Sequence, residues 1–286
     1  MEYLKTKIII GPTAIGKTKY AIELASKLDA EIISADSMQV YRHMNIGTAK
    51  PTKKELSKVK HHFISIINPD ELWSLISFTR KACTLLKNKR KSYVVVGGTG
   101  LYIRALIYNF QTPELTISPE IRKKLRQKLK DNGLDSLYQT LAQIDSLAAK
   151  RISSNDEYRI IRALEVYEQT GESFSKLQKQ DYSFAKNFEI TCLNTDRNIV
   201  YERINQRVDV MLQQGLIDEV QFLLKKGYSK KLNSLKALGY KEVIAYLDGE
   251  LSLEESIELI KKRTRNFAKR QLTWYRSFPD INWVEV

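Results

Sequence analysis

The stretch Gly11-Pro12-Thr13-Ala14-Ile15-Gly16-Lys17-Thr18 constrains this 286-residue chain more than any other. It sets a glycine, four residues and then Gly-Lys-Thr between the apolar run at residues 8–10 and a helical pattern over residues 17–28. Two glycines let the backbone wrap closely, so that several N–H groups and the start of a helix point at a phosphate. Lys17 adds a mobile positive charge, and the Thr18 hydroxyl is the expected magnesium ligand. Strand, loop and helix in this order predict an α/β sheet with a phosphate site at the carboxyl end of its first strand. The loop reads phosphate and not the group attached to it. Phosphoryl transfer, hydrolysis and departure of a diphosphate leaving group therefore all stay open.

The rest of the first third continues the alternation. Apolar segments at residues 8–10, 32–33 and 93–98 read as buried strands, and the patterns over 17–28 and 78–89 as the helices between them. That order predicts a parallel sheet. At Thr112 the texture changes: two prolines in "TPELTISPE" lead into the helical stretches "IRKKLRQKLKDNG", "LDSLYQTLAQID" and "NDEYRIIRALEVYEQTG", and the next strand pattern is "FEITCLN" near residue 190. Residues 112–186 are expected to be a helical insertion in a core made of residues 1–111 and 187–286. Two further long helices follow, in "YERINQRVDVMLQQG" and "SLEESIELIKKRTRNFAKRQLTWYR".

No run of about 18 apolar residues is present and the first residues carry no signal-peptide pattern, so a cytoplasmic location without membrane attachment is expected. Cys83 and Cys192 form no CxxC or Cys/His cluster, which disfavours a disulfide framework and a structural zinc site. The net charge is +14, and residues 1–111 hold 18 Lys and Arg against 8 Asp and Glu. Such a balance suits a polyanionic partner or a solvated surface equally well.

Asp36 falls just past the second strand, on the same sheet edge as the phosphate loop. A carboxylate there could bind magnesium, take a proton from a nucleophile, or cap a turn. The words that follow "GPTAIGKT" decide the context: "DSMQVYR", "IGTAKP", "HHFISIINP", "VVVGGTGLYIRAL", "NDEYRIIRALEVYE", "YERINQRVDVMLQQGLIDEV", "LKALGYKE" and "AKRQLTWYR". In this order they closely resemble the tRNA dimethylallyltransferase (tRNA isopentenyltransferase) family, over nearly the whole chain. The bacterial type is the nearer resemblance, because no zinc-finger extension follows "INWVEV".

The resemblance implies a P-loop, nucleotide-kinase-like core carrying a helical insertion that grips the anticodon stem-loop. It implies transfer of the dimethylallyl group from dimethylallyl diphosphate to N6 of the adenosine at position 37 of tRNA. The substrates implied are tRNAs reading codons that begin with U, the cofactor is Mg2+, and the working unit is a monomer. Gly11 to Thr18 and Arg203 would hold the diphosphate, with Thr18 on magnesium. Asp36 would be the general base, Thr99 in "GGTG" would sit at the junction of the two substrates, and Arg207 would stabilise the departing charge. Arg203 and Arg207 are four apart, on one helix face, as a pair of clamps would be. For RNA the implied contacts are Asp36, Ser37, Met38, Gln39, Thr99, Arg122, Tyr158, Arg159, Arg162, Lys236, Gly239, Tyr240 and Lys241.

Tyr158 stands where many relatives have glutamine. Lys236 and Lys241 replace arginines, keeping the charge without the planar two-pronged fork. His61 and His62 are expected to be structural, and Trp73 and Trp274 to pack in the core. Three other functions share parts of this pattern: prenylation of free adenine nucleotides, an ATP-dependent small-molecule kinase, and a noncatalytic RNA-binding NTPase. The kinase leaves "DSMQVYR" and "GGTGLY" without a role, and the helical insertion with its basic surface favours tRNA over a free nucleotide.

Overall fold

A computed structural model of the chain describes residues 5–88, 90–110, 115, 117–178, 182–278 and 280–286. It divides into two compact units, one made of residues 1–107 and 183–286 and the other of residues 108–182.

The first unit is built on a six-stranded sheet in which every pairing is parallel. Its strands are β1 (Thr6–Ile10), β2 (Ala30–Ser34), β3 (His61–His62), β4 (Ser92–Val96), β5 (Phe188–Asn194) and β6 (Ile281–Glu285), in the spatial order β3-β2-β4-β1-β5-β6. Ile8, Ile9 and Ile10 are all buried, so β1 is covered on both faces, as a central strand of a parallel sheet must be. Up to residue 107 the connections carry α1 (Lys17–Lys27), α2 (Lys53–Leu56), α3 (Leu75–Leu86) and α4 (Gly100–Ile107). One face of α1, formed by Ala21, Ile22 and Ala25, packs in a core with Ile9, Ile32, Val94, Leu193 and Ala268. Phe78 of α3 stacks on Tyr102 of α4 with ring centroids 4.5 Å apart.

The second unit is helical: α5 (Pro119–Ile144), α6 (Ser146–Arg151), α7 (Glu157–Thr170) and α8 (Phe174–Leu177). Pro119 and the Ser118 side chain open α5. Gly133, at φ 76 and ψ 172, breaks it into two helical stretches where "DNG" separates them in the sequence. Leu125, Leu137, Leu141, Ile160 and Leu164 fill a core of its own.

The first unit then resumes with α9 (Arg197–Gln213), α10 (Leu216–Lys225), α11 (Tyr240–Leu247) and α12 (Leu253–Tyr275). The edge strands β3 and β6 are absent from the sequence reading. The first is two residues long, and the second, "INWVE", is partly exposed along its length and shows no buried apolar run. His62 accounts for itself structurally, its Nε2 lying 2.6 Å from Glu31. Trp73 is buried as expected. Trp274 is only partly so: its ring lies over Gly100, and Arg104 sits above it at 5.7 Å.

Candidate active site

The carboxyl ends of β1, β2 and β4 open into one cavity of about 490 Å³. Its floor is the loop between β1 and α1. Gly11, at φ 150, is forced: a Cβ there would lie 2.7 Å from the Leu193 carbonyl oxygen on β5. Gly16, at φ 100, precedes α1 without a side-chain cap, so the first N–H groups of the helix keep no side-chain acceptor. A helix start of this kind favours an anion.

Lys17 lies across the loop, its Nζ donating to the carbonyl oxygens of Gly11 and Pro12 at 2.9 and 2.8 Å. Desolvation, reinforced by the charge of Arg207, pushes the Lys17 ammonium down to about 7. Arg207, from α9, lines the same cavity, and burial moves its guanidinium below its ordinary value. Neither cation forms an ion pair among the described residues. Lys50 is a third: its ammonium binds Asn45 Oδ1 at 3.1 Å, Ser65 Oγ at 2.8 Å and the Tyr41 carbonyl, and burial pushes it down to about 8. Asp36, and Glu219 beside Lys50, offset part of this positive charge without forming an ion pair with it, and the remainder is costly unless a ligand supplies the counter-charge. Val210, Met211 and Phe267 add apolar surface to the lining that Arg207 shares.

Asp36 enters from the end of β2. Its Oδ1 accepts the backbone N–H groups of Met38 and Gln39 at 2.8 and 3.2 Å, a turn that fixes the carboxylate, while Oδ2 has no donor among the described residues. Thr99 ties this turn to β4, since its Oγ1 accepts the Ser37 N–H at 3.2 Å. Thr13, Ala14, Gly16, Lys17 and Thr18 face the cavity with Asp36 and Gln39, whereas Arg203 is not part of the lining. The arginine pair is thus divided: Arg203 sits four residues nearer the start of α9, about 6 Å along its axis.

Two residues that sequence reasoning passed over hold this edge together. Gln271 of α12 accepts the Thr13 N–H on Oε1 and donates from Nε2 to the Gly98 carbonyl, both at 2.8 Å. Tyr275 Oη donates towards the carbonyls of Gly98 and Gly11, at 3.0 and 3.3 Å. With Ala268 they lie three and seven residues along one buried helix face, and two polar residues on such a face were the available signal.

The expected RNA contacts fall into two groups. Tyr158, at 80% exposure, and Arg159 stand on the surface of α7, and Lys236 and Lys241 are exposed on either side of Gly239. Arg122 is committed elsewhere in part: its guanidinium grips the buried Glu165, with Nε 2.6 Å from Oε1, and Arg162 shares that carboxylate. Tyr240 corrects the expectation outright. Its side chain is fully buried against Gly47 and its phenol donates to Glu219 at 2.6 Å, so no side-chain contact with RNA is available to it.

A family model described as IPP transferase matches residues 39–278. The chain belongs to this family. It is 46% identical to a tRNA dimethylallyltransferase from Natranaerobius thermophilus, over 99% of this chain and 88% of that protein. It is 47% identical to a protein of the same name from Alkaliphilus oremlandii, over 98% and 90%. Among solved structures it resembles the full-length tRNA isopentenylpyrophosphate transferase from Bacillus halodurans, with TM-score 0.72, 40% identity, and coverage of 99% of this chain and 90% of that one. A eukaryotic dimethylallyltransferase acting on tRNA matches with TM-score 0.81 at 27% identity, over 98% of this chain and 73% of its own. The core is accordingly an α/β, P-loop-like sheet, as its sequence words imply.

Proposed function

We propose that the chain transfers the dimethylallyl group from dimethylallyl diphosphate to N6 of the adenosine at position 37 of tRNAs reading codons that begin with U. The observation that carries this reading is the cavity itself. Two desolvated cations, Lys17 and Arg207, and a helix start share it with an apolar wall and the Asp36 carboxylate. That combination suits a small donor with a charged diphosphate and a short hydrocarbon tail.

In the reaction the C–O bond between the dimethylallyl carbon and the diphosphate breaks as the C–N bond to N6 forms. An exocyclic adenine amine is a weak nucleophile, and the fixed Asp36 carboxylate accepts its proton as the bond develops. Lys17, Arg207 and the loop amides hold the charge that leaves with the diphosphate. The residues present suit magnesium. Thr18 offers a hard hydroxyl oxygen in the cavity, and no cluster of three or more His, Cys, Asp or Glu exists among the described residues, as fits an ion held mainly by substrate phosphates and water. When bound, the ion neutralises the diphosphate charge. Thr99 would act at the junction of the two substrates; its hydrogen bond to the Ser37 N–H in the Asp36 turn supports that role, although it is not part of the cavity lining.

The helical unit offers one set of RNA-contacting side chains, and the segment at residues 236–241 in the other unit offers another. Tyr158 offers a face for stacking and the exposed Arg and Lys side chains meet phosphates. Extrusion of the target base brings N6 to Asp36. The proposal extends to a monomer acting in the cytoplasm; no helix among the described residues is long and apolar enough to cross a membrane. The test is to offer the protein dimethylallyl diphosphate with unmodified tRNA or with AMP, and to resolve the nucleosides by mass. Prenylated adenosine in tRNA supports the reading; transfer to AMP alone, or no transfer with both ligands bound, overturns it.

A further inference from the structure

The loop at residues 45–49 forms one wall of the cavity, yet no regular element holds it. What holds it is a carboxylate from far along the chain. Glu219, on α10, accepts the backbone N–H of Asn45 at 2.8 Å, of Ile46 at 2.9 Å and of Gly47 at 3.2 Å. Three consecutive amides around one carboxylate are the arrangement by which a backbone binds an anion, here supplied by the protein itself. The fully buried Tyr240 closes the site, donating its phenol proton to Glu219 at 2.6 Å with its ring against Gly47. A Cβ on Gly47 would lie 2.5 Å from that ring, so the loop and the tyrosine are fitted to each other.

The chain of contacts continues to the catalytic edge. Beyond Gly47, the carbonyls of Thr48 and Ala49 accept from Gln39 Nε2, both at 3.3 Å. Ser34 Oγ donates to Gln39 Oε1, and the Gln39 backbone N–H donates to Asp36 Oδ1. Gln39 is therefore occupied inside the protein by both ends of its amide.

From this geometry we infer that Glu219, with Tyr240, is a positioning residue that sets the cavity wall and, through Gln39, the direction of the Asp36 carboxylate. The inference rests on the proposed reaction for its kinetic consequence. A carboxylate displaced by about 1 Å loses on the order of 10²-fold in rate without losing its chemistry. The diphosphate loop and Arg207, which carry the donor's charged contacts, are not part of the network, so the donor KM should change little even as the wall at residues 45–49 shifts.

The test compares full-length wild type with Glu219→Gln, Tyr240→Phe and Gln39→Leu. Glu219→Gln should lower kcat for prenyl transfer about 100-fold while the donor KM stays within about threefold. Tyr240→Phe, which keeps the ring and removes only the phenol, should lower kcat about tenfold with the same split. The double variant Glu219→Gln/Gln39→Leu should lose less than the product of the two single effects, because both act through one network. Unchanged kcat in a folded Glu219→Gln protein, a loss confined to donor KM, or independent effects in the double variant would overturn the inference. Should Glu219→Gln fail to fold, the Tyr240→Phe split decides the matter alone. Amide exchange at Asn45, Ile46 and Gly47, faster in Tyr240→Phe than in wild type, tests the anchoring without any turnover. A wild-type protein that makes no prenylated tRNA counts against the reaction, whereas unchanged exchange counts against the positioning role.

Discussion

Lys17 and Arg207 reach one cavity from the start of α1 and the middle of α9, and neither has a carboxylate to pair with among the described residues. Each is desolvated, and the charge of Arg207 further lowers the tendency of Lys17 to carry its own. A fold that keeps two such cations together is built for an anion that arrives later. Removing either charge should therefore act on the donor before anything else. Charge-assisted contacts of this kind are each worth about 10- to 100-fold in affinity. Lys17→Met and Arg207→Gln should weaken dimethylallyl diphosphate binding by that factor in calorimetry, with tRNA affinity nearly unchanged.

The acidity of Lys17 gives this binding a pH dependence. Its value is lowered to about 7 in the protein without ligand. A bound diphosphate favours the ammonium and raises that value again, so binding takes up a proton wherever the unliganded amine has lost one. Donor affinity should fall as pH rises from about 7 to about 9, by at most tenfold per pH unit. Calorimetry at about pH 8 in buffers of different ionisation enthalpy should show proton uptake. Lys17→Met should abolish both effects, and an affinity that stays flat over this range in wild type would remove Lys17 from the account.

Gln271 joins the phosphate loop to the turn after β4, and its loss should be felt as stability as well as rate. Gln271→Leu leaves the Thr13 N–H without its partner and the Gly98 carbonyl with Tyr275 alone, at about 1 to 3 kcal/mol for a buried group so abandoned. The melting temperature should fall by several degrees, and prenyl transfer should fall further than Thr13's own contacts explain. Gly97→Ala should be worse, because its Cβ would lie 2.2 Å from the Ala35 backbone oxygen, which has no flexible side chain to yield.

On the RNA side, exposed and committed side chains should behave differently. Tyr158→Ala removes a stacking face that is worth about 1 to 3 kcal/mol when a base lies on it. Lys236→Ala should weaken tRNA binding and reduce the salt dependence of the affinity by nearly one counterion. Arg122→Ala should chiefly destabilise the helical unit, because it strands part of the Glu165 carboxylate. Filter binding across a salt series, beside a thermal melt, separates the three.

Much of this design is legible in the sequence, for identifiable reasons. The phosphate loop and β1, β2 and β4 are local patterns: short apolar runs closed by turn residues, glycine after β1 and β4 and Asp-Ser after β2. The break in α5 is written at Gly133. The family words then assign the sheet edge its chemistry. What escapes is non-local. The Glu219 carboxylate lies 172 residues and more from the amides it binds, and nothing in "LIDEV" points to them. Gln271 and Tyr275 are polar residues on a buried helix face, visible only once α12 is seen to cross the ends of β1 and β4. Tyr240 reads as an RNA contact from its word and proves to be core. Arg203 and Arg207 share a helix face, but a single turn separates the one that reaches the cavity from the one that does not.

The central claim is that the loop holds a leaving group and transfers no phosphoryl. Dimethylallyl diphosphate carrying oxygen-18 in the bridge between carbon and phosphorus tests it directly, with tRNA as acceptor and mass spectrometry of both products. The account predicts prenylated adenosine at position 37 and all of the label in the released diphosphate. Label left on a dimethylallyl alcohol, or phosphate appearing on the RNA, would contradict it.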